Sequence, residues 1–440
     1  MPQVTLKDLR EASRVPRELL ARAEAELSGY YEPVQQIIDA VRRDGDASLL
    51  RFAREFDHVT AESFALRATP ADFTAAYGKV SADVVVAMRY AADNIRRFHA
   101  AQKPPELTMM EVRPGAFAGD RFLPLQSVAC YVPRGKGAFP SVVMMTAIPA
   151  VAAGVPKIAI ITPPGPDGEI DAGTLVAADL AGVHTIYKCG GAQGVAAVAY
   201  GTATVPRCDK IVGPGSPWVV AAKRLLRDVI DPGVPAGPSE CLILADEHAD
   251  PRLLALDLII ESEHGPDSSA WLVTDSSPIA TAVALQLPRL WSHMSPQRTA
   301  FSQAVLCGTR GGVLLVKDLA TAIDFVNDYA PEHLEVQVRE PFSILGRIRH
   351  AGEVLLGPHT PVTLGNFVLG PNAVLPTNRA SRTASPLSVH DFMKRSSVGY
   401  VTAAAFGELA QHAEALARYE GFDGHANALS DRGEVAAVDI

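Results

Sequence analysis

The chain has little covalent reinforcement and nothing built for a membrane or for nucleic acid. Five cysteines, Cys130, Cys189, Cys208, Cys241 and Cys307, are scattered over 440 residues with no CxxC pair. That spacing excludes a disulfide scaffold and a cysteine-rich zinc site, and reads as reduced, buried thiols in a cytosolic protein. No apolar run reaches transmembrane length; the longest, around 158–163, is strand-sized. The opening MPQVTLKDLREASRVPRELL is charged and amphipathic and lacks the apolar core of a secretory signal. No basic block stands out and the net charge is −9, which argues against nucleic acid or an anionic membrane as partner. There is also no strict GxGxxG, and no acidic residue about 20 positions beyond a glycine turn to hold a ribose. Internal repeats and low-complexity tracts are absent too.

What is present is enough apolar sequence for two domains or more. Of the residues, 48% are hydrophobic and 20% charged, which supports cores of ordinary size. The first 125 residues read mostly as helices, with apolar residues three and four apart over 31–56 and 81–102. From Ser127 the texture changes. SVACYVP, KIAIITPP, TIYKCGG and KIVGPG are β-rich runs, each followed by small-residue helices or loops. A second series follows: ECLILAD, SAWLVTD, GVLLVKD and LEVQV. That order predicts an α/β fold with two Rossmann-like, doubly wound domains, with a cleft between them or at their switch points. The Pro/Gly-rich stretch 231–238 between the two series reads as a hinge or crossover. Residues 366–395 read as an irregular loop, and 403–419 as a final helix leading to a Gly-flanked loop around His425. A tail with so little core must pack on the body of its own chain or on a second subunit.

Three groups of residues have the right types for chemistry. Asp250 and Pro251 open a helix that Gly265 and Pro266 stop, and Glu261 and His264 project from one face of its last turn. A carboxylate and an imidazole at that spacing suit a zinc-type ion, against the plainer alternative of a surface pair at a helix C-terminus. Pro331-Glu332-His333 follows a helix over 319–329. Glutamate can activate water while the neighbouring histidine moves a proton to or from an alcohol. Gly-rich turns after the strands, at 131–137, 190–194 and 213–216, suit close approach of a pyrophosphate, or are simply tight strand-to-helix turns.

The runs CYVPRGKGAFPS, AIPAVAAGV, GGAQGVAAVAYGT, DKIVGPG, AGPSE, ESEHGPDS, DYAPEHLEV, AVLPT and LSVHDFMKR resemble histidinol dehydrogenases, in order, from about residue 30 to the C-terminus. The resemblance implies a homodimer with zinc and NAD in a cleft and a C-terminal tail exchanged between subunits. It implies oxidation of a primary alcohol through an aldehyde to a carboxylate. It divides the chain into an N-terminal arm (1–30), a first Rossmann-like domain with the metal and catalytic residues (31–130 plus 239–385), an NAD-side Rossmann-like domain (131–238) and a tail on the partner subunit (386–440). By the same resemblance Glu332 and His333 are catalytic and Tyr131, Gln193 and Ser216 contact NAD. Ser141, Ser239, Glu420 and position 373 face the substrate, and Glu261, His264, Asn366 and His425 hold the metal.

The chain also departs from the family pattern. The family's ligands are Gln, His, Asp and His; here they are Glu261, His264, Asn366 and His425. An amide has become a carboxylate and a carboxylate an amide, so the set keeps its charge. That compensation points to a retained divalent site for zinc or another divalent ion. The family's substrate-touching histidine is Ala373, which cannot hydrogen-bond a polar ligand. The NAD-side asparagine is Ser216. These changes point to a diverged paralogue acting on another small alcohol, as do sulfopropanediol dehydrogenases, which act on a hydroxy-sulfonate. Arg134, Lys136 or Arg379 suits an anionic group, or serves solubility. The alternatives are histidinol oxidation itself and a non-catalytic NAD- or metabolite-binding paralogue.

Overall fold

The computed structural model describes residues 3–12, 16–22, 27–62, 64–134 and 137–436. Lys136 lies outside them. The described elements begin with β1 (Leu6–Asp8), α1 (Ser28–Asp44), α2 (Asp46–Phe56), α3 (Pro70–Tyr77), α4 (Ala82–Gln102), β2 (Leu107–Arg113) and β3 (Ala116–Pro124). An alternating series follows: β4 (Ser127–Tyr131), α5 (Pro140–Ala153), β5 (Lys157–Thr162), α6 (Ala172–Ala181), β6 (Ile186–Lys188), α7 (Gly191–Tyr200), β7 (Lys210–Val212) and α8 (Pro217–Leu225). The second series is β8 (Glu240–Ala245), α9 (Pro251–Ser262), β9 (Ser269–Thr274), α10 (Ser277–Trp291), α11 (Pro296–Leu306), β10 (Gly311–Leu315), α12 (Leu319–Tyr329), β11 (His333–Gln337), α13 (Pro341–Leu345), β12 (Glu353–Leu356) and α14 (Val362–Phe367). The chain ends in β13 (Met393–Val401), α15 (Ala403–Tyr419) and α16 (Asp423–Ala436). It divides into two compact units, Met1–Gln102 with Leu125–Phe392, and Lys103–Pro124 with Met393–Ile440.

The first unit holds two parallel sheets, as the alternating order requires. One has the strand order β6-β5-β4-β7 and the other β1-β10-β9-β8-β11-β12. Their strands are near-continuous Val, Ile, Leu and Ala runs because helices cover both faces. α5 is apolar on almost every side and is correspondingly buried. Helices α1 and α2, separated at Gly45, turn Val34, Ile37, Ile38, Val41, Leu49 and Phe52 onto Ala129, Ile161, Val195 and Val219. The division read from sequence grouped 31–130 with 239–385; the apolar faces of these two helices instead meet the four-stranded sheet. In the six-stranded sheet, β8, β9 and β10 present alternate residues to two separate clusters, one under α9 and α10 and one under α12. β1 pairs in parallel with β10 and covers that edge.

The second unit has its own sheet and a helix pair, so the tail is more than the single helix expected. β13 pairs antiparallel with β3, and β3 with β2, while α15 packs on α16. The strands at 107–124 fall in a stretch read as mostly helical. His425 lies inside α16, not in a Gly-flanked loop. Residues 366–395 are less irregular than expected, since α14 takes in Asn366 and β13 begins at Met393. Among the described residues no helix is long and apolar enough to cross a membrane.

Candidate active site

The polar centre of the first unit is built on β11. His333, Glu335 and Gln337 alternate with Leu334 and Val336, so one face of the strand is polar and the other joins the core under α12. All five are buried. The chain enters β11 from α12 through Ala330, held left-handed at φ 52 as the helix C-cap, and Pro331. That turn sets Glu332 and His333 at the N-terminal edge of the sheet. Glu240 and Glu353 stand at the same edge, at the starts of β8 and β12. The crevice rule for parallel sheets favours the opposite edge. In this sheet the helix α9, which returns antiparallel after β8, brings Glu261 back to the N-terminal side.

Glu261, Glu332 and His333 form the one cluster of three or more potential metal ligands among the described residues, with ligand atoms within 4.8 Å of one another. Two of the three have a hydrogen-bond partner outside the cluster. Glu332 Oε2 accepts the Glu240 amide at 2.8 Å. His333 Nδ1 meets Glu353 Oε2 at 3.0 Å, which leaves Nε2 as the ring's second donor or acceptor. Both oxygens of Glu261 are buried without a hydrogen-bond partner. Its nearest ionisable neighbour on the same helix end is His264, with Nδ1 3.6 Å from Oε2, and a buried carboxylate at a helix C-terminus without hydrogen bonds is unfavourable on two counts, desolvation and the negative end of the helix dipole. Burial drives the Glu332 carboxyl well above the usual carboxylate range; nearby His333 opposes this and Glu261 adds to it. Burial works against a charged His333 ring, but Glu353, Glu332 and Glu261 outweigh it, and its pKa rises to about 9. Glu261, Glu332 and Glu353 thus surround the His333 ring and favour its charged form, and the same donor types suit a divalent cation.

Of the other residues expected at the metal, His264 has Nδ1 3.6 Å from Glu261 Oε2 but lies outside the three-residue cluster. Asp250 caps α9 through the Arg252 amide and Pro251 occupies its first turn, as expected, but the helix closes at Ser262 and His264 lies just beyond it. His264 Nδ1–H is placed to donate to the Ile260 carbonyl at 2.9 Å, which leaves Nε2 free as a ligand atom. Asn366 is half-buried on α14, which packs against α9. Ser239 precedes Glu240, and its carbonyl accepts the Ser269 amide at 3.0 Å. The segment holding Ala373 runs beside the 231–238 crossing: the Thr377 amide donates to Pro235, the Gly237 amide to Thr377 Oγ1, and the Asn378 amide to Glu240 Oε1. Glu240 is also gripped from the N-terminal arm. Arg22 Nε lies 3.0 Å from Glu240 Oε1, and its guanidinium stacks 3.3 Å above the Tyr329 ring.

The predicted NAD contacts gather elsewhere, at the C-terminal edge of the four-stranded sheet. Tyr131 ends β4, and its buried hydroxyl accepts the Gly191 amide at 3.2 Å. Gln193 is buried in the first turn of α7. Ser216 is the exposed N-cap of α8, its hydroxyl free of any capping bond. Strand order reverses between β4 and β7, the position where parallel sheets open a ligand crevice. Gly213 sits at that reversal with φ 111, and a Cβ there would come within 2.2 Å of the Tyr131 carbonyl oxygen. Ser141 is half-buried in the first turn of α5. Of the basic residues proposed for an anion, Arg134 donates to the Glu169 carbonyl at 3.1 Å and so serves a loop. Arg379 is half-buried in a left-handed conformation, φ 63. Glu420 and His425 belong to the second unit, exposed at the corner between α15 and α16.

Sequence reasoning missed Glu353, Glu240 and Arg22. A signal existed for the first two: each is a lone carboxylate opening an otherwise apolar, buried strand, an expensive placement without a partner.

Residues 20–433 match the family model for histidinol dehydrogenase. A protein of Mesorhizobium japonicum named histidinol dehydrogenase homolog 2 is 61% identical over 432 residues, 98% of each chain. A histidinol dehydrogenase of a Synechocystis species is 44% identical over 415 residues, 94% of this chain and 95% of that one. The crystal structure of histidinol dehydrogenase from Elizabethkingia anophelis superposes with a TM-score of 0.92 at 30% identity, covering 98% of both chains.

Proposed function

The chain belongs to the histidinol dehydrogenase family, and from that premise we propose that it is a metal- and NAD-dependent dehydrogenase. Its substrate is a small polar primary alcohol other than histidinol, taken through an aldehyde to a carboxylate. The observation that carries this reading is the buried Glu261–Glu332–His333 cluster with its bare Glu261 carboxylate. Glu261, His264, Asn366 and, from a partner subunit, His425 would hold zinc or another divalent ion. Such an ion supplies Lewis acidity at the carbinol oxygen, and NAD, at the Tyr131–Gln193–Ser216 edge, accepts hydride.

The chain's own residues do the proton work. With Nδ1 engaged by Glu353, His333 takes the alcohol proton at Nε2 as hydride leaves carbon; the carboxylates raise the ring's pKa to about 9, and the charge of a bound divalent ion would be what keeps the ring neutral for this step. The aldehyde stays bound. Glu332 then draws a proton from water as the oxygen adds to the carbonyl, and the hydrate loses a second hydride. One alcohol and one water give a carboxylate, two NADH and three protons. Burial suits Glu332 to this step, because a carboxyl raised well above its usual range is a stronger base. Ser141, Ser239, Ala373 and the partner's Glu420 line the substrate space. The exposed α15–α16 corner also carries Leu416, Tyr419 and Phe422, apolar residues that a second subunit would cover, which supports a homodimer with exchanged tails.

Two observations favour an alcohol other than histidinol. Ala373 offers no hydrogen bond where the family has histidine. The relative at 61% identity is named a homologue of histidinol dehydrogenase, whereas the one at 44% bears that name outright. The test is NADH formation by zinc-loaded protein with L-histidinol beside a panel of anionic and neutral diols, dihydroxypropanesulfonate included. Turnover of a diol with silence on histidinol is expected. Efficient turnover of histidinol would overturn the substrate reading, and no turnover with no metal bound would overturn the enzyme.

A further inference from the structure

Glu353 touches no reacting atom, yet its placement is specific. It stands directly across the β11–β12 ladder from His333, and both side chains are buried. Its Oε2 holds His333 Nδ1 at 3.0 Å. Its Oε1 is buried with no hydrogen-bond partner. The space it occupies depends on Gly365 of α14, where a Cβ would lie 2.9 Å from both carboxylate oxygens. A buried carboxylate with one oxygen on an imidazole and room left by a missing side chain does little for stability, since removing its charge from water is costly. It does fix the ring.

We propose that Glu353 is a positioning residue for His333. It keeps the proton on Nδ1, holds the ring plane against the β11 edge, and so leaves Nε2 as the proton acceptor for the alcohol. Gly365 is the position that admits it. The proposal rests on the dehydrogenase reading above for its kinetic consequence, though not for the hydrogen bond itself.

The test uses the zinc-loaded full chain and the variants Glu353→Ala and Glu353→Gln. Glu353→Ala should lower kcat about 10–100-fold, the usual loss when the partner of a working histidine is removed. KM, zinc content and melting temperature should stay close to wild type. Glu353→Gln, which keeps an acceptor oxygen, should lose less than Glu353→Ala. Unchanged kcat would overturn the proposal, as would zinc content or melting temperature falling in step with kcat, or a Gln variant as slow as the Ala variant. A second readout needs no turnover. The ring 15N signals of His333, assigned with His333→Gln, should show a hydrogen-bonded Nδ1–H in wild type and a mixture of tautomers in Glu353→Ala. If the wild type oxidises none of the alcohols, the function proposed above fails while these signals still decide whether Glu353 holds the ring. Identical ring signals in wild type and Glu353→Ala would sink the assignment.

Discussion

Glu261 and Glu332 are both buried carboxylates of one cluster, but only Glu332 has a backbone donor. On the function proposed above, that difference separates a ligand from a base. Glu332→Gln should therefore spare the first oxidation and stop the second, lowering NADH from two toward one per alcohol with aldehyde accumulating. Equal loss of both steps would count against Glu332 as the base. Gly365→Ala should reproduce the Glu353→Ala loss in kcat, because the new methyl displaces the carboxylate from His333. Normal turnover by that variant would show that the space is not needed. Asp57 is a separate case, half-buried at the end of α2 with Oδ2 lacking a partner. Burial raises its pKa from 3.8 to about 7, with Arg134 opposing. A raised carboxyl favours the folded state fully below pH 3.8 and loses that contribution as pH rises through 7. Asp57→Asn should then melt higher than wild type at pH 8, by about 1–3 °C, and equally at pH 4. The reverse pattern in a pair of thermal scans would show the carboxylate to be well solvated. At this scale the motif residues Glu261, His264, Glu332 and His333 were legible, because chemistry concentrates there in short spacings. Glu353 was not, because its partner is set by strand pairing and its space by a glycine on a third element.

The elements around the cluster are tied by a second polar group. Gln337 donates to Asp257 at 2.6 Å and to Glu335 at 3.1 Å, and Glu335 Oε1 accepts the Val362 amide that opens α14. Burial raises both carboxyls, which fits a proton held between them. This group pins α9, β11 and α14, the carriers of Glu261, His333 and Asn366. Glu335→Leu should lose about 1–3 kcal/mol of stability by leaving the Val362 donor unmatched, and urea denaturation would measure it. Glu335→Gln, with the same shape, should lose less; the opposite ranking would argue against hydrogen bonding as the cause. Eight of the nine strands of the two alternating series were readable as apolar runs, and the short β12 was not. β2, β3 and β13 were not, since β2 and β13 are largely exposed and β3 finds β13 from far along the chain. α16 was hidden by Gly421 and Gly424 at its start, which weaken the helical signal without forbidding the helix.

Across the whole molecule, metal and tail should behave as one system. Zinc should raise the melting temperature and chelation reverse it, by mass action on the folded state, and Glu261→Ala should abolish the increment. No zinc-dependent change in wild type would refute the metal site. If tails are exchanged, mixing inactive His425→Ala with inactive Glu332→Gln chains should restore about a quarter of wild-type acid formation, because each hybrid dimer regains one intact site. Continued inactivity after demonstrated subunit exchange would put the tail back on its own body. The N-terminal arm has its own reach into this system. β1 seals the β10 edge, and Arg22 supplies the buried cation for Glu240, whose amide holds Glu332. A start codon moved to the first long helix would therefore not yield a trimmed enzyme. It would yield one with an open sheet edge and a loosened Glu332, losing solubility and activity in a single event.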